Sequence, residues 1–298
     1  MVKDAKGNEV QGLEQGPFEP IAVIGVSALM PDAPDIDSFW QNILDSKVSI
    51  RQIPEHRWIG PVDHFFRDGG PGNIEEGYTY ARIGAVVEGY EFDWRRWKQP
   101  PGTLTQIDLA QQWAVSVAAA AIEHAGYDGE SKDIDRLRTG VAFANALGGE
   151  NRNLSNIRIY SNHTKELAKS FGMPTANGDA FVDAINTGAP RVNEDTMPGE
   201  LANVVAGRVS NLLDLQGPNF AMDAACASSL ATLMDACRML QMRQVDVMIA
   251  GATDRSMDAP TFAKFSGIGA LSLSHSTPFD AGANGLGMGE GAGACGLK

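Results

Sequence analysis

The feature that most constrains the fold is an alternation. Short continuous apolar runs recur along the chain, and between them lie segments with apolar residues at helical spacing. Pro20-Ile21-Ala-Val-Ile-Gly25, Thr139-Gly-Val-Ala-Phe-Ala144, Asn219-Phe-Ala-Met-Asp223 and Val245-Asp-Val-Met-Ile-Ala250 read as strands. A strand covered on both faces shows a near-continuous apolar run rather than a period of two. The helical pattern is clearest from Leu104 to Ala125, where Leu104, Ile107, Ala114, Val117, Ala118, Ala121 and Ile122 share one stripe. Thr103 with Gln106 forms a capping-box pattern at its start, and Gly126 stands where a C′ glycine belongs. A second stripe (Leu201, Val204, Val205, Val209, Leu212, Leu213) predicts a helix from Pro198 to Leu213. A third turns Leu230, Leu233, Met234, Cys237 and Leu240 inward, and Gly291–Lys298 reads as a closing strand. Strands alternating with helices specify an α/β layered fold.

The rest of the chain is less regular. Residues 1–20 are polar and read as a tail or linker. Asp37–Leu44 has helical spacing, and residues 48–103, rich in Pro, Gly, Arg and aromatics, read as an irregular excursion. Residues 148–195 are polar and Asn-rich, with one weak helical stretch near 163–171.

Charge and cysteine content exclude several function classes. The net charge is −13, so nucleic acid and anionic membranes are not expected partners. Three cysteines give no disulfide framework, and Met1–Pro20 lacks the apolar core of a signal peptide. Ile21–Met30 and Ala114–Ile122 are too short to span a bilayer. A cytoplasmic protein is expected, with no bound metal or cofactor.

The sharpest chemical feature is Asp223-Ala-Ala-Cys226-Ala-Ser-Ser-Leu230. A strand runs into a turn made of small residues, and a helix starts there. A side chain at such a turn projects from the sheet end, where small neighbours leave room for a substrate. The helix N-terminus favours a thiolate, and its N–H groups can bind a developing oxyanion. This is the design of a nucleophile elbow with sulfur in place of oxygen. A cysteine can equally be an inert packed residue, and the local pattern alone does not choose. Cys237, on a helical stripe, and Cys295, in a strand, read as core residues. The five histidines, His56, His64, His124, His163 and His275, have no spacing that implies a metal site or a triad. The glycine-rich Gly282–Gly293 fits the dinucleotide pattern only loosely at Gly287, Gly289 and Ala292, with no strand before it. It reads instead as tight turns that pass close to a site.

In order along the chain, several segments resemble the N-terminal half of the β-ketoacyl synthases, especially those of polyketide and polyunsaturated fatty acid synthases. They are Ile21-Ala-Val-Ile-Gly-Val with Phe39-Trp40, Ile53-Pro-Glu-His-Arg-Trp58, Pro100-Pro-Gly-Thr-Leu-Thr-Gln-Ile-Asp108, Ala206-Gly-Arg-Val-Ser-Asn211 with Gly217-Pro218, Asp223-Ala-Ala-Cys226-Ala-Ser-Ser229, and Pro278-Phe-Asp280 with Gly289-Glu-Gly-Ala-Gly293. The resemblance covers 21–298 and implies one half-domain of a thiolase-like α-β-α-β-α fold. It implies that Cys226 is the nucleophile, accepting an acyl group from the phosphopantetheine thioester of an acyl carrier protein, with its own N–H in the oxyanion hole. A malonyl thioester would then lose CO₂ and attack the acyl-Cys, in fatty acid or polyketide synthesis. It further implies a homodimer or larger synthase, paired through the strand Phe220–Met222.

The family's two catalytic histidines, in His-Gly-Thr and Asn-x-Gly-His segments, its lysine and a glycine-flanked phenylalanine belong to its second half, and neither histidine segment occurs here. The chain alone is therefore expected to accept an acyl group but not to complete condensation. Two other functions fit parts of the pattern. One is a non-catalytic partner, chain-length-factor-like or carrier-docking, which the missing histidines favour and the intact Cys226 opposes. The other is a cysteine hydrolase, which needs a histidine in reach; only His275 lies in a suitable loop.

Overall fold

The computed structural model describes residues 19–127 and 134–298. The proposed tail lies almost wholly outside the described residues. In chain order the elements are β1 (Val23–Leu29), α1 (Ile36–Leu44), β2 (Arg51–Gln52), β3 (Ile83–Ala85), α2 (Pro101–Leu104), α3 (Leu109–His124), β4 (Thr139–Ala144), α4 (Asn151–Ser170), α5 (Thr175–Ile185), α6 (Thr196–Glu200), α7 (Val204–Leu212), β5 (Asn219–Met222), α8 (Ser228–Gln241), β6 (Val247–Asp254), α9 (Ala259–Gly267), β7 (Met288–Gly289) and β8 (Gly291–Leu297). Five strands form the main sheet in the order β1-β8-β6-β4-β5. β4 runs parallel to both β5 and β6, whereas β8 is antiparallel to β6 and β1. A small second sheet, β2-β3-β7, stands apart.

Helices cover both faces of the main sheet. α3 packs on one face, against β1, β6 and β8, with α7 beside it on β4 and β5; α8 packs on the other, against β4 and β6. The α3 side is filled by Trp113, Val117, Phe143, Val205 and Ile249, and the α8 side by Ala142, Ala236, Leu240 and Met248.

The main strands fall where the apolar runs predict them, with shifted ends. β1 does not close on Gly25 but runs to Leu29. Gly25 is where the α3 backbone comes closest, and a Cβ there would collide with the Ala121 carbonyl oxygen. β6 runs four residues past Ala250, to Asp254.

The long helix departs more from expectation. It starts at Leu109, after a separate short α2, and its cap is Asp108 rather than Thr103. The Asp108 carboxylate accepts from Ala110 N at 2.8 Å and from Asn151 N at 2.8 Å, so one side chain caps α3 and holds the start of α4. Gln106 instead accepts from the Thr196 hydroxyl. Gly126 does sit beyond the helix end with φ +80°, as expected. α3 is buried nearly all round because the sheet, the neighbouring α7 and the aromatic residues Tyr90, Trp94 and Trp97 pack into one cluster with it, so the single stripe understates its burial.

Asp108 is fully buried. Burial pushes its carboxyl up to about 6 from 3.8, against the opposing pull of Arg255 and the N–H groups of Asn151 and Ala110. The folded state therefore holds this proton more tightly than the unfolded chain. The group's stabilising share is present below about pH 4 and is lost as pH rises through about 6, a change of about 3 kcal/mol. Asp108→Asn removes that titration. Urea unfolding of both proteins should show the wild type losing about 3 kcal/mol relative to the variant between about pH 4 and pH 7; parallel pH curves would refute the assignment.

Three further expectations are corrected. Residues 148–195 hold two full helices, α4 and α5, not one weak stretch. They are held by polar contacts that a hydrophobic pattern does not register. Arg158 donates to the carbonyls of Asn186 and Ala189, Ser161 bonds Asn186, and Lys165 pairs with Asp179. The helix expected over 198–213 is broken at Leu201, whose backbone is extended, because the Gly199 carbonyl is drawn to Asp108 N. Residues 48–103 are not merely irregular. Trp58, Val62, Tyr80, Met257 and Phe262 build a second core, with the Trp58 and Phe262 rings 5.2 Å apart and Trp58 Nε1 donating to Met257 O.

α8 is rotated from its predicted face. Its buried positions are Ser228, Thr232, Ala236 and Leu240, while Leu230 and Met234 are 72% and 47% exposed. Small side chains on the i, i+4 ridge let the helix lie close to the sheet, and the larger ones turn away from it.

Candidate active site

β5 delivers the chain to Asp223, and a short run of small residues separates it from α8. The turn is fixed by its own polar groups. Asp223 Oδ1 accepts from Ala225 N at 2.9 Å, and Ser228 Oγ accepts from Ala224 N at 2.8 Å while donating to Ala225 O at 2.5 Å. Ala225 is held at φ +50°, a left-handed conformation that costs an alanine roughly 1 kcal/mol. That strain swings the next residue out of the strand line. Cys226 consequently stands in a single 3₁₀ turn, Ala225–Ala227, directly before α8, with its side chain exposed. Among the described residues no acceptor takes the Cys226 N–H. It joins the free N–H groups at the positive end of the helix.

Cys226 opens on a cavity of about 740 Å³. Its walls are the ends of β4 and β6, the glycine-rich strand β8, and Leu230 and Leu233 of α8. The lining is mostly small and apolar, which suits an extended acyl chain more than a charged ligand. The Asn145 side chain in the wall is already engaged, donating to Thr253 O at 2.9 Å and accepting from Gly148 N at 2.7 Å.

Cys295 also lines this cavity, although the sequence places it only in the core. Burial pushes its thiol up to about 11, and its sulfur lies 3.5 Å from Ala250 O, so it stays a thiol at neutral pH. Cys237 is half-buried in the α8 core, as expected, and burial raises its thiol as well.

None of the five histidines lines the cavity. His275 bonds the Ser274 hydroxyl in its loop, and His124 accepts from Val26 N at the far end of α3. Among the described residues no cluster of three or more His, Cys, Asp or Glu is arranged to hold a metal ion. No described helix is long and apolar enough to cross a membrane.

The glycine-rich segment is a run of turns leading into β7, which joins the small sheet, and then β8, which joins the main one; residues 289–295 form part of the cavity wall. Sequence reasoning missed the charges behind it. Arg57, Glu150, Arg255 and Glu290 meet there in the interior, with Arg57 bridging Glu150 at 2.9 Å and Glu290 at 2.7 Å. The only signal in the sequence is weak, Glu290 being the single charge in the glycine-rich run 282–293, and it does not name its partner.

Several solved structures superpose on this arrangement. The oxazolomycin ketosynthase domain OzmH KS7 of Streptomyces albus JA3453 matches 94% of the chain at 24% identity and TM-score 0.72, using 43% of its own length. The PfaC keto synthase–chain length factor matches 93% at 25% identity and TM-score 0.76, using 29% of its length. The fold is thus the layered α/β, thiolase-like fold of the ketosynthases. Residues 18–298 match the family described as β-ketoacyl synthase, N-terminal domain, and the chain belongs to that family.

Among curated relatives, a phenolphthiocerol/phthiocerol polyketide synthase polypeptide of Mycobacterium tuberculosis is 30% identical over 283 residues. A polyunsaturated fatty acid synthase polypeptide of Thraustochytrium sp. is 27% identical over 281 residues. These matches cover 94% and 93% of the chain but only 13% and 10% of the relatives.

Proposed function

We propose that this chain carries the acyl-accepting site of a β-ketoacyl synthase, with Cys226 as the nucleophile. The carrying observation is the exposed Cys226 at a strained strand-to-helix turn, its N–H unengaged, at the mouth of an apolar cavity. The Cys226 thiolate attacks the carbonyl carbon of an acyl thioester borne on the phosphopantetheine arm of a carrier protein. The carbonyl oxygen becomes an oxyanion facing the Cys226 N–H. Collapse breaks the carbon–sulfur bond to the arm, the arm's thiolate takes a proton, and the acyl chain remains on Cys226.

Condensation with a malonyl thioester requires donors that stabilise the enolate left when CO₂ departs. No histidine of this chain lines the cavity to supply them. The free side of β5, which among the described strands pairs only with β4, supports a second copy adding at that edge.

The test is incubation with an acyl-pantetheine thioester, then with malonyl carrier protein. Mass spectrometry should find the acyl group on the Cys226 peptide and no β-ketoacyl product. Condensed product from this chain alone would overturn the division of labour. His275→Ala should leave acyl loading within about twofold of wild type; a large loss would revive a cysteine–histidine hydrolase.

A further inference from the structure

The cavity wall at Gly289–Gly293 has almost no side chains with which to hold itself. Gly291 adopts φ +155°, and a Cβ there would sit 2.7 Å from Met30 Sδ and 2.8 Å from Leu29 O. Gly289 is laddered to β3 and Gly291–Gly293 to β6 and β1, so the joint between the two ladders is the peptide at Glu290, where side-chain packing contributes little. Glu290, between two of these glycines, is the exception. It lines the cavity together with the glycines, yet its side chain is only 1% exposed and is engaged in the interior.

There its carboxylate meets Arg57 Nη2 at 2.7 Å and accepts from Val87 N at 2.8 Å. The Arg57 side chain, 9% exposed, also grips Glu150, with bonds of 2.9 and 3.3 Å. Glu150 in turn takes Arg255 at 2.7 Å and Met257 N at 3.1 Å. Two arginines and two glutamates thus tie four separate stretches of chain to the glycine wall. Buried ion pairs contribute little stability over apolar packing of equal volume, so stability alone does not account for this investment in charge. What such a network supplies is a fixed geometry, provided its members are bonded.

We propose that Glu290, held by Arg57, is a positioning residue that keeps the glycine wall in place to receive the pantetheine thioester beside Cys226. This rests on the acyl-transfer function proposed above. Arg57 does not line the cavity, and the Glu290 carboxylate is taken up by Arg57 and Val87 N, so the pair acts through the backbone on either side of Glu290.

Glu290→Gln keeps shape and removes charge, Arg57→Met removes the clamp, and Arg57→Lys keeps a cation that reaches fewer oxygens. Two rates are compared at Cys226 by peptide mass spectrometry: acylation by hexanoyl-pantetheine, which needs a positioned thioester, and alkylation by iodoacetamide, which needs only an accessible thiolate. Glu290→Gln and Arg57→Met should slow acylation at least tenfold and alkylation less than twofold, and Arg57→Lys should recover part of the loss. Amide hydrogen exchange should rise at least tenfold at Val87 and Gly289–Gly293, with the α3 and β4 amides unchanged.

Parallel loss of both rates, or a uniform rise in exchange across the core, would show a merely structural role and overturn the proposal. Unchanged exchange at Gly289–Gly293 in folded Glu290→Gln would also overturn it. If the wild type takes no acyl group, the acyl-transfer function fails, while the exchange measurement still decides whether the clamp holds the wall.

Discussion

Cys226→Ser is expected to lower acyl loading by about a thousandfold or more, with little change in stability. No histidine lines the cavity to activate a hydroxyl. A thiol is far more acidic and its sulfur far more nucleophilic than an alkyl hydroxyl, so the substitution removes the reactive species and not only one atom. The side chain is exposed and packs against little, so unfolding should shift by no more than about 0.5 kcal/mol. Peptide mass spectrometry after treatment with acyl-pantetheine decides the matter. Equal loading of the variant would move the nucleophile elsewhere. Cys295 would then be tested first, because it shares the cavity, although burial keeps it protonated.

The second large effect is on folding. Gly25→Ala should destabilise the protein by about 3 kcal/mol or more. A Cβ at this position runs into the Ala121 carbonyl and crowds Ala125. Those atoms are helix backbone and cannot rotate aside, so α3 must lift from β1 over a contact that anchors the sheet's outer strand. Gly178→Ala is the control. It lies within α5, a Cβ there meets nothing within 4 Å, and replacing a helical glycine should stabilise by roughly 0.5–1 kcal/mol. Chemical denaturation of the two variants should therefore give shifts of opposite sign; similar shifts would contradict the close approach of β1 and α3.

Much of this architecture is legible in the residues themselves. Apolar runs locate β4, β5 and β6, and the small-residue turn after Asp223 locates the one cysteine that stands exposed in the cavity. What escapes has identifiable physical causes. α4 and α5 are held by arginine–carbonyl and lysine–carboxylate contacts, so hydrophobic period does not reveal them. Hydrophobicity alone turns Leu230 and Met234 of α8 inward, whereas close packing on a sheet selects the small side chains of the neighbouring face. The Arg57–Glu290 bridge joins residues far apart in the chain, and only the fold brings them into one place. Asp108 is visible in a motif, but its double service to α3 and α4 depends on where Asn151 arrives.

The position of β8 has a consequence for how the molecule assembles. β8 lies between β1 and β6, pairing Ala294 with Ser27 on one side and with Gly251 on the other. Among the described strands β1 has no other neighbour, so the first strand of the sheet waits for residues translated some 260 positions later before it gains a ladder. Contacts of such long sequence separation carry a large loop-closure entropy and slow the search. On the ribosome the β4–β5–β6 portion can pair early, whereas β1 stays unzipped until Gly291–Leu297 emerge. Stopping synthesis short of that segment leaves a sheet split into a paired block and one orphan strand.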